Sequence, residues 1–282
     1  MKKRVTNLIL AAGWAGVMLI VIPVMCFAGA WTQEKGASYH QFTLNCYYAD
    51  RYFDDDGHDQ TMADQGEFRD IHVSYYGEYG LGERLTVLTS LSFKYLKFED
   101  NTVESDSYGV SDIDLGLKYK LVDSPLGIVS VQGLVKIPEA YDEDDAVPLG
   151  NGQYDLECRL LYGKSLYPFI PGYMNLEAGY RWRADFPADE FRYLAEFGVN
   201  VTSKIYGRMK LDGICSMGNS DTLDAAGNNP SVTPEFDLGK LDLAVGYKVT
   251  ESCLVEVGFR PEIYGQNTSK GNNASVSVAF KR

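Results

Sequence analysis

The chain has 282 residues and a formal net charge of −13 at pH 7, and 45% of its residues are hydrophobic. Its acidity argues against a nucleic-acid-binding protein, because such a protein needs positive charge facing the phosphates. No apolar run beyond residue 30 approaches the roughly 20 residues of a membrane-spanning helix. Any insertion into a membrane would therefore have to use β-strands.

The first 30 residues have the pattern of a secretory signal peptide. Three basic residues precede an apolar stretch at 8–27, and Ala28-Gly29-Ala30 supplies small residues at the cleavage positions. We therefore predict removal of residues 1–30 and a mature chain, 31–282, that begins at Trp31. The apolar stretch is long enough to span a bilayer, so an uncleaved anchor is the alternative. Cleavage removes three positive and no negative charges, which makes the formal charge of the mature chain −16.

Polar and apolar residues alternate through most of the remaining chain, with the period of two that a half-buried strand shows. In 111–121, for example, Asp114 and Lys118 fall on one face, while Leu115 and Leu117 fall on the other. Each such segment is close to the ~9–11 residues that a tilted strand needs to cross a membrane. The predicted strands are 37–49, 68–80, 84–98, 109–122, 127–138, 152–164, 172–184, 190–202, 204–216, 236–249, 253–265 and 273–281.

The connections between these strands alternate in length, as do the short periplasmic turns and long outer loops of outer-membrane barrels. We therefore predict an all-β fold: a single transmembrane antiparallel up-and-down β-barrel of about 12 strands, in the outer membrane of a Gram-negative-type bacterium. The N-terminal residues of the mature chain before Gly36 are expected to be too few to plug the lumen. The tight turns are 80–83, 123–126, 202–204 and 250–252, and the long polar loops are 50–67, 99–108, 139–151 and 217–235.

The polar strand faces are predicted to line the lumen and the apolar faces to meet lipid. Closing about twelve strands leaves an interior wider than that of an eight-stranded barrel, and an Arg or Lys facing lipid near the midplane costs ~2–4 kcal/mol. Two interpretations follow: an open pore whose transverse field selects solutes, or a lattice of salt bridges that fills the barrel. The predicted pore-lining residues are Asp112, Asp114, Lys118, Lys136, Asp155, Glu157, Arg159, Glu177, Arg181, Arg183, Arg192, Glu196, Arg208, Lys210, Asp212, Asp242, Glu256 and Arg260.

The chain contains 20 Tyr and 13 Phe residues, and many lie toward strand ends, as in the aromatic girdles of membrane barrels. The alternative is ordinary strand propensity. The last strand ends at Phe280 before Lys281-Arg282, which is similar to the C-terminal signal read by the barrel assembly machinery. The girdle candidates are Tyr75, Tyr79, Tyr95, Tyr162, Tyr173, Trp182, Phe191 and Phe259.

Four cysteines remain after cleavage, and all four fall on apolar strand faces, which favours single lipid-facing thiols over disulfides. The acidic run 54–59 has the oxygen density that calcium prefers but lacks the downstream Glu of an EF-hand loop. A solvated outer loop is therefore favoured, and bridging of divalent ions to lipopolysaccharide is the weaker alternative. The cysteines are Cys46, Cys158, Cys215 and Cys253.

The sequence carries no motif of a known enzyme class. Its only histidines are His40, His58 and His72, without Gly-x-Ser-x-Gly or His-Glu-x-x-His. His40 and His72 are assigned to the inward faces of the first two strands, where a structural polar pair is the favoured interpretation. We therefore predict that the protein is not an enzyme and uses no cofactor and no metal.

Four stretches resemble the bacterial outer-membrane family called "MetA-pathway of phenol degradation" proteins, often described as transporters. They are Gly-Val-Ser-Asp-Ile-Asp-Leu-Gly-Leu-Lys-Tyr-Lys-Leu at 109–121, Val-Lys-Ile-Pro-Glu at 135–139, Pro-Leu-Gly-Asn-Gly-Gln-Tyr-Asp at 148–155 and Leu-Tyr-Gly-Lys-Ser at 161–165. The resemblance implies a passive channel for small molecules, including aromatic or otherwise apolar compounds. The charged lumen inferred for this chain departs from a hydrophobic route and favours small polar or ionic solutes.

The predicted function is passive diffusion of small solutes through an outer-membrane channel. The predicted partners are outer-membrane lipid, lipopolysaccharide, the barrel assembly machinery and a small-molecule solute. The alternative is a closed barrel that acts as a surface or adhesion scaffold through its acidic outer loops. A sheath for electron-transfer partners ranks last, because about twelve strands enclose too little space for a multihaem protein.

Overall fold

The computed structural model describes residues 29–138, 141, 146–184, 187–220 and 233–282. Within these ranges, no helix is long and apolar enough to cross a bilayer. A single-turn 3₁₀ helix occupies Ala63–Gln65. The strands are β1 (Ser38–Phe53), β2 (Asp59–Thr61), β3 (Glu67–Gly82), β4 (Leu85–Glu99), β5 (Glu104–Val110), β6 (Ile113–Ser124), β7 (Gly127–Ile137), β8 (Asp155–Ser165), β9 (Gly172–Arg183), β10 (Glu190–Asn200), β11 (Ile205–Ser216), β12 (Asp237–Lys248), β13 (Cys253–Gln266) and β14 (Thr268–Lys281).

The strands form one closed antiparallel barrel with twelve positions around its wall. Apart from the short β2 and β5, strands that follow each other in sequence pair with each other, and β14 returns to pair with β1. One position is shared, because β5 pairs with the end of β4 near Glu99 and β6 pairs with the end near Leu85. The short β2 pairs with the last residues of β1. The fold is therefore the transmembrane barrel that the sequence predicts.

The first and last strands, β1 and β14, close the barrel. Ser38 and Arg282 exchange two backbone hydrogen bonds of 2.9 Å, and the β1–β14 ladder continues from there. β14 begins at Thr268, five residues before the predicted start at residue 273. A tight turn causes the difference, because Asn267 adopts a φ of 51° and joins β13 directly to β14. Asn is one of the few residue types that tolerate this left-handed conformation.

The predicted loop at 99–108 is mostly strand, because β4 and β5 form a hairpin there. Asp100 makes the turn, and its carboxylate accepts hydrogen bonds from the backbone N–H groups of Thr102 and Val103 at 2.6 and 2.7 Å. A hydrogen bond from the Thr102 hydroxyl, together with these backbone bonds, lowers the pKa of Asp100. The sequence does not reveal the hairpin because few apolar residues mark its alternation.

The predicted facing of the barrel wall is confirmed. Leu115 and Leu117 on β6 are 46% and 51% exposed on the outside, whereas Lys118 beside them is 1% exposed. Outward side chains of this kind on the other strands form the apolar band that a bilayer covers. The four cysteines are free thiols on the same outward rows: Cys46, Cys158, Cys215 and Cys253.

Two orientation predictions are wrong. The sequence assigns His40 to an inward face, but it lies on the outward row of β1 with Phe42, because the odd-numbered residues of this strand face inward. Its Nδ1 is 2.9 Å from the Tyr75 hydroxyl. Tyr173, predicted for the aromatic girdle, is buried at 8% exposure on an inward row. Its ring occupies the space that Gly198, directly opposite on β10, leaves by having no side chain.

Candidate functional site: the barrel lumen

Residues 29–37, which we call the N-terminal segment, lie in the end of the lumen next to the short turns. Gln33 is 1% exposed. Its backbone N–H donates to the Thr86 hydroxyl at 2.8 Å, and its side-chain amide donates to the Glu78 carboxylate at 2.7 Å. Lys118 also binds Glu78, at 2.8 Å. In an outer-membrane barrel, the short turns lie on the periplasmic side.

The N-terminal segment continues across to β7 and β9. Ala30 is fully buried, and its carbonyl accepts a hydrogen bond from the Ser130 hydroxyl at 2.5 Å. Trp31 packs edge-on against Tyr173, with ring centroids 6.0 Å apart. A segment of nine residues reaches roughly 30 Å when extended, at ~3.3 Å per residue. The segment therefore lies inside one end of the barrel, and the expectation that it is too short to plug the lumen stays a prediction.

One part of the interior, from β6 to β10, is filled by what we call the ion-pair lattice. Glu157 on β8 is 1% exposed, and its carboxylate lies 2.7 Å from Arg159, 2.9 Å from Arg181 and 3.5 Å from Arg192. Arg181 stands directly opposite Glu157 in the β8–β9 register. The other pairs of the lattice are Lys136–Asp155 (3.0 Å), Lys136–Asp112 (3.5 Å), Arg159–Glu177 (2.7 Å), Arg181–Asp155 (3.5 Å), Arg183–Glu190 (3.1 Å) and Arg192–Glu190 (3.0 Å).

A second cluster of charges surrounds Arg208 on β11. Its guanidinium lies 2.6 Å from Glu256, 3.4 Å from Asp242 and 3.5 Å from Glu196. The Tyr206 hydroxyl also donates to Glu256. One guanidinium therefore holds carboxylates from three different strands, which leaves no spare charge on Arg208 for a solute.

A cavity of about 280 Å³, which we call the lumen cavity, lies beside this cluster. Its wall on β14 and β1 carries short neutral side chains, including Ser275, Ser277, Thr43 and Asn45. These side chains are short and do not reach far into the lumen. The charged side chains of the ion-pair lattice are longer, and they meet one another in their part of the interior. The charged residues that line the lumen cavity are Glu196, Arg208, Lys210, Asp242, Glu256 and Arg260.

An apolar cluster lies inside the opposite end of the barrel, next to the long loops. Phe68 and Leu96, from inward rows of β3 and β4, pack with Val147 and Leu149 from the connection between β7 and β8. Tyr141 from the same connection donates a hydrogen bond to Asp112 at 2.6 Å. Part of this outer loop therefore folds into the barrel, while Glu143-Asp144-Asp145 lies outside the described residues. The cluster also contains Ala49 and Met62.

All eighteen predicted pore-lining residues are buried or partly buried on the interior side of the wall. Six of them line the lumen cavity, and most of the others belong to the ion-pair lattice. Lys118 instead binds the N-terminal segment through its 3.0 Å contact with the Gly29 carbonyl. Asp114 forms no ion pair with any described residue. The sequence reasoning missed Glu78, although it shares the inward parity of His72 on a predicted strand.

The acidic run at 54–59 forms a structured turn. The Asp54 carboxylate accepts hydrogen bonds from the Gln60 side chain and from the backbone N–H groups of His58 and Asp56, which lower its pKa. Asp59 lies 2.6 Å from Arg51. No group of three or more His, Cys, Asp or Glu residues in the described ranges is arranged to hold a metal ion.

No family model matches the chain, and no curated protein matches its sequence. Solved structures of outer-membrane barrels share its fold. The COG4313 outer membrane channel from Pseudomonas putida F1 has a TM-score of 0.70 and 13% identity over 90% of this chain and 98% of that one. The NanC porin has a TM-score of 0.51 and 10% identity over 84% and 98%. The translocator domain of the autotransporter NalP from Neisseria meningitidis has a TM-score of 0.50 and 12% identity over 88% and 89%.

The closed wall, its outward apolar band and this shared fold lead to one conclusion. The chain is an outer-membrane β-barrel of a Gram-negative bacterium.

Proposed function

We propose that this barrel is a passive diffusion channel for small polar or ionic solutes. The observation that carries the proposal is the lumen cavity of about 280 Å³, which remains beside the ion-pair lattice. The description of the Pseudomonas putida neighbour as an outer membrane channel supports the same function.

The side chains around the lumen cavity suit selection by charge and size. Hydroxyl and amide groups on β14 and β1 can replace the water of a passing solute at low cost, because they donate and accept hydrogen bonds. Charged groups on β11 to β13 face them across the cavity. Opposed neutral and charged walls create a transverse field, which orients a polar solute as it passes.

The polarity of the lumen cavity indicates which class of solute the channel would pass. Most of its lining consists of charged, hydroxyl and amide side chains, which favour polar or ionic solutes over hydrocarbons. The resemblance to the phenol-degradation family implies aromatic compounds as the alternative cargo. Uptake of a small organic acid and of a phenol into liposomes that contain the barrel would compare the two directly.

Single-channel recording tests the channel itself. The mature protein, refolded and inserted in a planar bilayer with a salt gradient, should show steady openings with a reversal potential different from zero. A refolded barrel that shifts on heating in gel electrophoresis, and is therefore folded, but passes no current would contradict the proposal. That result would favour the closed scaffold that acts through its outer loops.

A further inference from the structure

Arg260 on β13 differs from the other charged residues of the lumen cavity. Arg208 holds three carboxylates, and Lys210 lies 3.9 Å from each of two carboxylates. Arg260 forms no ion pair and no hydrogen bond with any residue in the described part of the chain. Its guanidinium is permanently charged and has five donors, so its side chain offers free donors to the lumen cavity.

Two acids near Arg260, Glu262 and Asp242, lie against other groups. Glu262, on the same strand, accepts hydrogen bonds from the Tyr47 hydroxyl at 2.7 Å and from the backbone N–H of Gly271 at 2.8 Å. Asp242 on the neighbouring strand lies 3.4 Å from Arg208. Opposite Arg260 on β14 stands the neutral Asn273. The local arrangement therefore leaves a positive group without a dedicated negative partner.

Lys210 adds a second cation to the lining of the same cavity. Its ammonium is 3.9 Å from both Asp212 and Asp242, which is longer than the ~2.7–2.9 Å of a charge-assisted hydrogen bond. The donors of Lys210 are therefore also open to a ligand. Hydroxyl groups of Thr43 and Ser275 face the cavity from the other wall.

We propose that Arg260, assisted by Lys210, forms a binding site in the lumen cavity for small organic anions that carry a carboxylate and hydroxyl groups. A guanidinium matches a carboxylate with two parallel hydrogen bonds, and the hydroxyl and amide wall binds the rest of the solute. The proposal rests on the proposed channel function and names the class of solute that the channel selects.

The test compares wild-type protein with Arg260→Gln, Arg260→Lys and Lys120→Gln, using potassium gluconate as the probe. Lys120 points inward near a short turn and pairs with Asp123, so its substitution changes the charge equally without touching the lumen cavity. Gluconate binding to the detergent-solubilised barrel is measured by calorimetry, and block of the potassium chloride current by gluconate is measured in the bilayer. Heat-shifted electrophoresis checks the folding of each variant.

We expect Arg260→Gln to weaken gluconate binding and block at least tenfold, and Arg260→Lys to weaken them less. Lys120→Gln should match the wild type. Equal binding by wild type and a folded Arg260→Gln would overturn the anion site, even if the channel conducts. Conversely, a barrel that binds gluconate through Arg260 but passes no current would overturn only the channel function.

A second inference concerns the start of the mature chain and rests on separate contacts. The carbonyl of Gly29 accepts a hydrogen bond from Lys118 at 3.0 Å, and that of Ala30 accepts one from Ser130. Gly29 has a φ of +86°, and a Cβ there would stand 2.5 Å from the side chain of Asn175. Glycine therefore fits this position, and both residues are built into the interior.

Two peptide bonds are candidates for cleavage by signal peptidase, Ala28–Gly29 and Ala30–Trp31, and these contacts favour the first. Cleavage after Ala30, as the sequence predicts, would discard both residues, whereas cleavage after Ala28 would keep them. Cys26 and Ala28 are small residues at the two positions that signal peptidase reads. We infer that the Ala28–Gly29 bond is hydrolysed, so that water gives the released peptide its carboxylate and Gly29 its α-ammonium inside the lumen.

Intact-mass spectrometry and N-terminal sequencing of the protein purified from outer membranes test this inference. A mature chain that begins at Gly29 is the expected result. A chain that begins at Trp31 would overturn it, and so would one that retains the apolar stretch at 8–27.

Discussion

The ion-pair lattice and the wall formed by β14 and β1 use the same strand geometry but leave opposite amounts of space. In the lattice, Glu157 and Arg181 extend from facing positions of adjacent strands and fill the interior between them. On β14 and β1, Ser275 and Thr43 are too short to do so, and the lumen cavity remains beside them. The number of strands sets the width of a barrel, but the length and pairing of side chains decide where that width stays open.

The largest expected effect comes from removing the carboxylate at the centre of the ion-pair lattice. Glu157→Gln removes the carboxylate that three guanidinium groups share. Breaking a buried ion pair by removing one partner costs ~3–5 kcal/mol, and we expect a loss of that order in the free energy of unfolding. Urea unfolding of the barrel in detergent measures it.

The control for this prediction is Glu251→Gln. Glu251 pairs with Lys248 at 2.6 Å, but its side chain is 86% exposed, and such surface pairs contribute little. If both variants unfold at the same urea concentration, the lattice does not stabilise the barrel.

The next effect concerns the two faces of the wall. Leu115→Arg places a charge in the lipid-facing band, where it costs ~2–4 kcal/mol near the midplane, so we expect impaired assembly. Asp114→Asn changes the inward neighbour, which forms no ion pair with any described residue, and should fold normally. Equal yields of heat-shifted barrel from the two variants would contradict the facing of β6.

The N-terminal segment gives a third effect, on conductance. Gln33→Glu would place a carboxylate against Glu78, because the present side chain donates to Glu78 at 2.7 Å. Repulsion should displace the segment from the lumen and raise the single-channel conductance severalfold. Lys35→Gln, in an exposed part of the same segment, changes the charge by the same amount and should leave conductance unaltered. An unchanged current in Gln33→Glu would mean that the segment does not obstruct the path.

The smallest expected effect is local to an outer turn. Asp54→Ala removes the acceptor for the Gln60 side chain and for the backbone of His58 and Asp56. Limited proteolysis should then cleave 54–60 faster, while Asp55→Ala should behave like the wild type. Because the hydrogen bonds lower the pKa of Asp54, their contribution is complete above the ordinary value of ~3.9. It should be lost only as the pH falls through the lowered pKa, when wild type and Asp54→Ala become equally susceptible.

Strand positions could be predicted from the sequence because alternation is a local property. The segments predicted at 127–138 and 172–184 differ from β7 and β9 by a single residue at one end. The N-terminal segment could not be predicted in this way. Gln33 reaches its partners Glu78 and Thr86 only after the barrel has closed around it, and no local pattern marks such a contact.

The inward charges could be predicted, but their pairing could not. The sequence places Arg181, Arg208 and Arg260 on inward rows alike. From the sequence alone, a reversed charge at Arg181 or Arg208 would be expected to shift ion selectivity. Both of these arginines hold carboxylates in the structure. Reversing the charge of either arginine would therefore break buried ion pairs and disturb folding, so the variant would not measure ion selectivity alone. Arg260 differs from them because no carboxylate pairs with it across the strands in the described part of the chain. Which side chains meet depends on the strand register, which cannot be read from the sequence.

We propose that solutes pass beside β14 and β1. The most direct test records single channels of the Ser275→Cys variant before and after a charged, water-soluble methanethiosulfonate reagent. We predict that the reagent lowers the current of this variant and leaves the wild type unchanged, because the four native thiols of the barrel lie on outward rows. A conducting Ser275→Cys channel whose current stays constant after mass spectrometry has confirmed the modification would contradict this path.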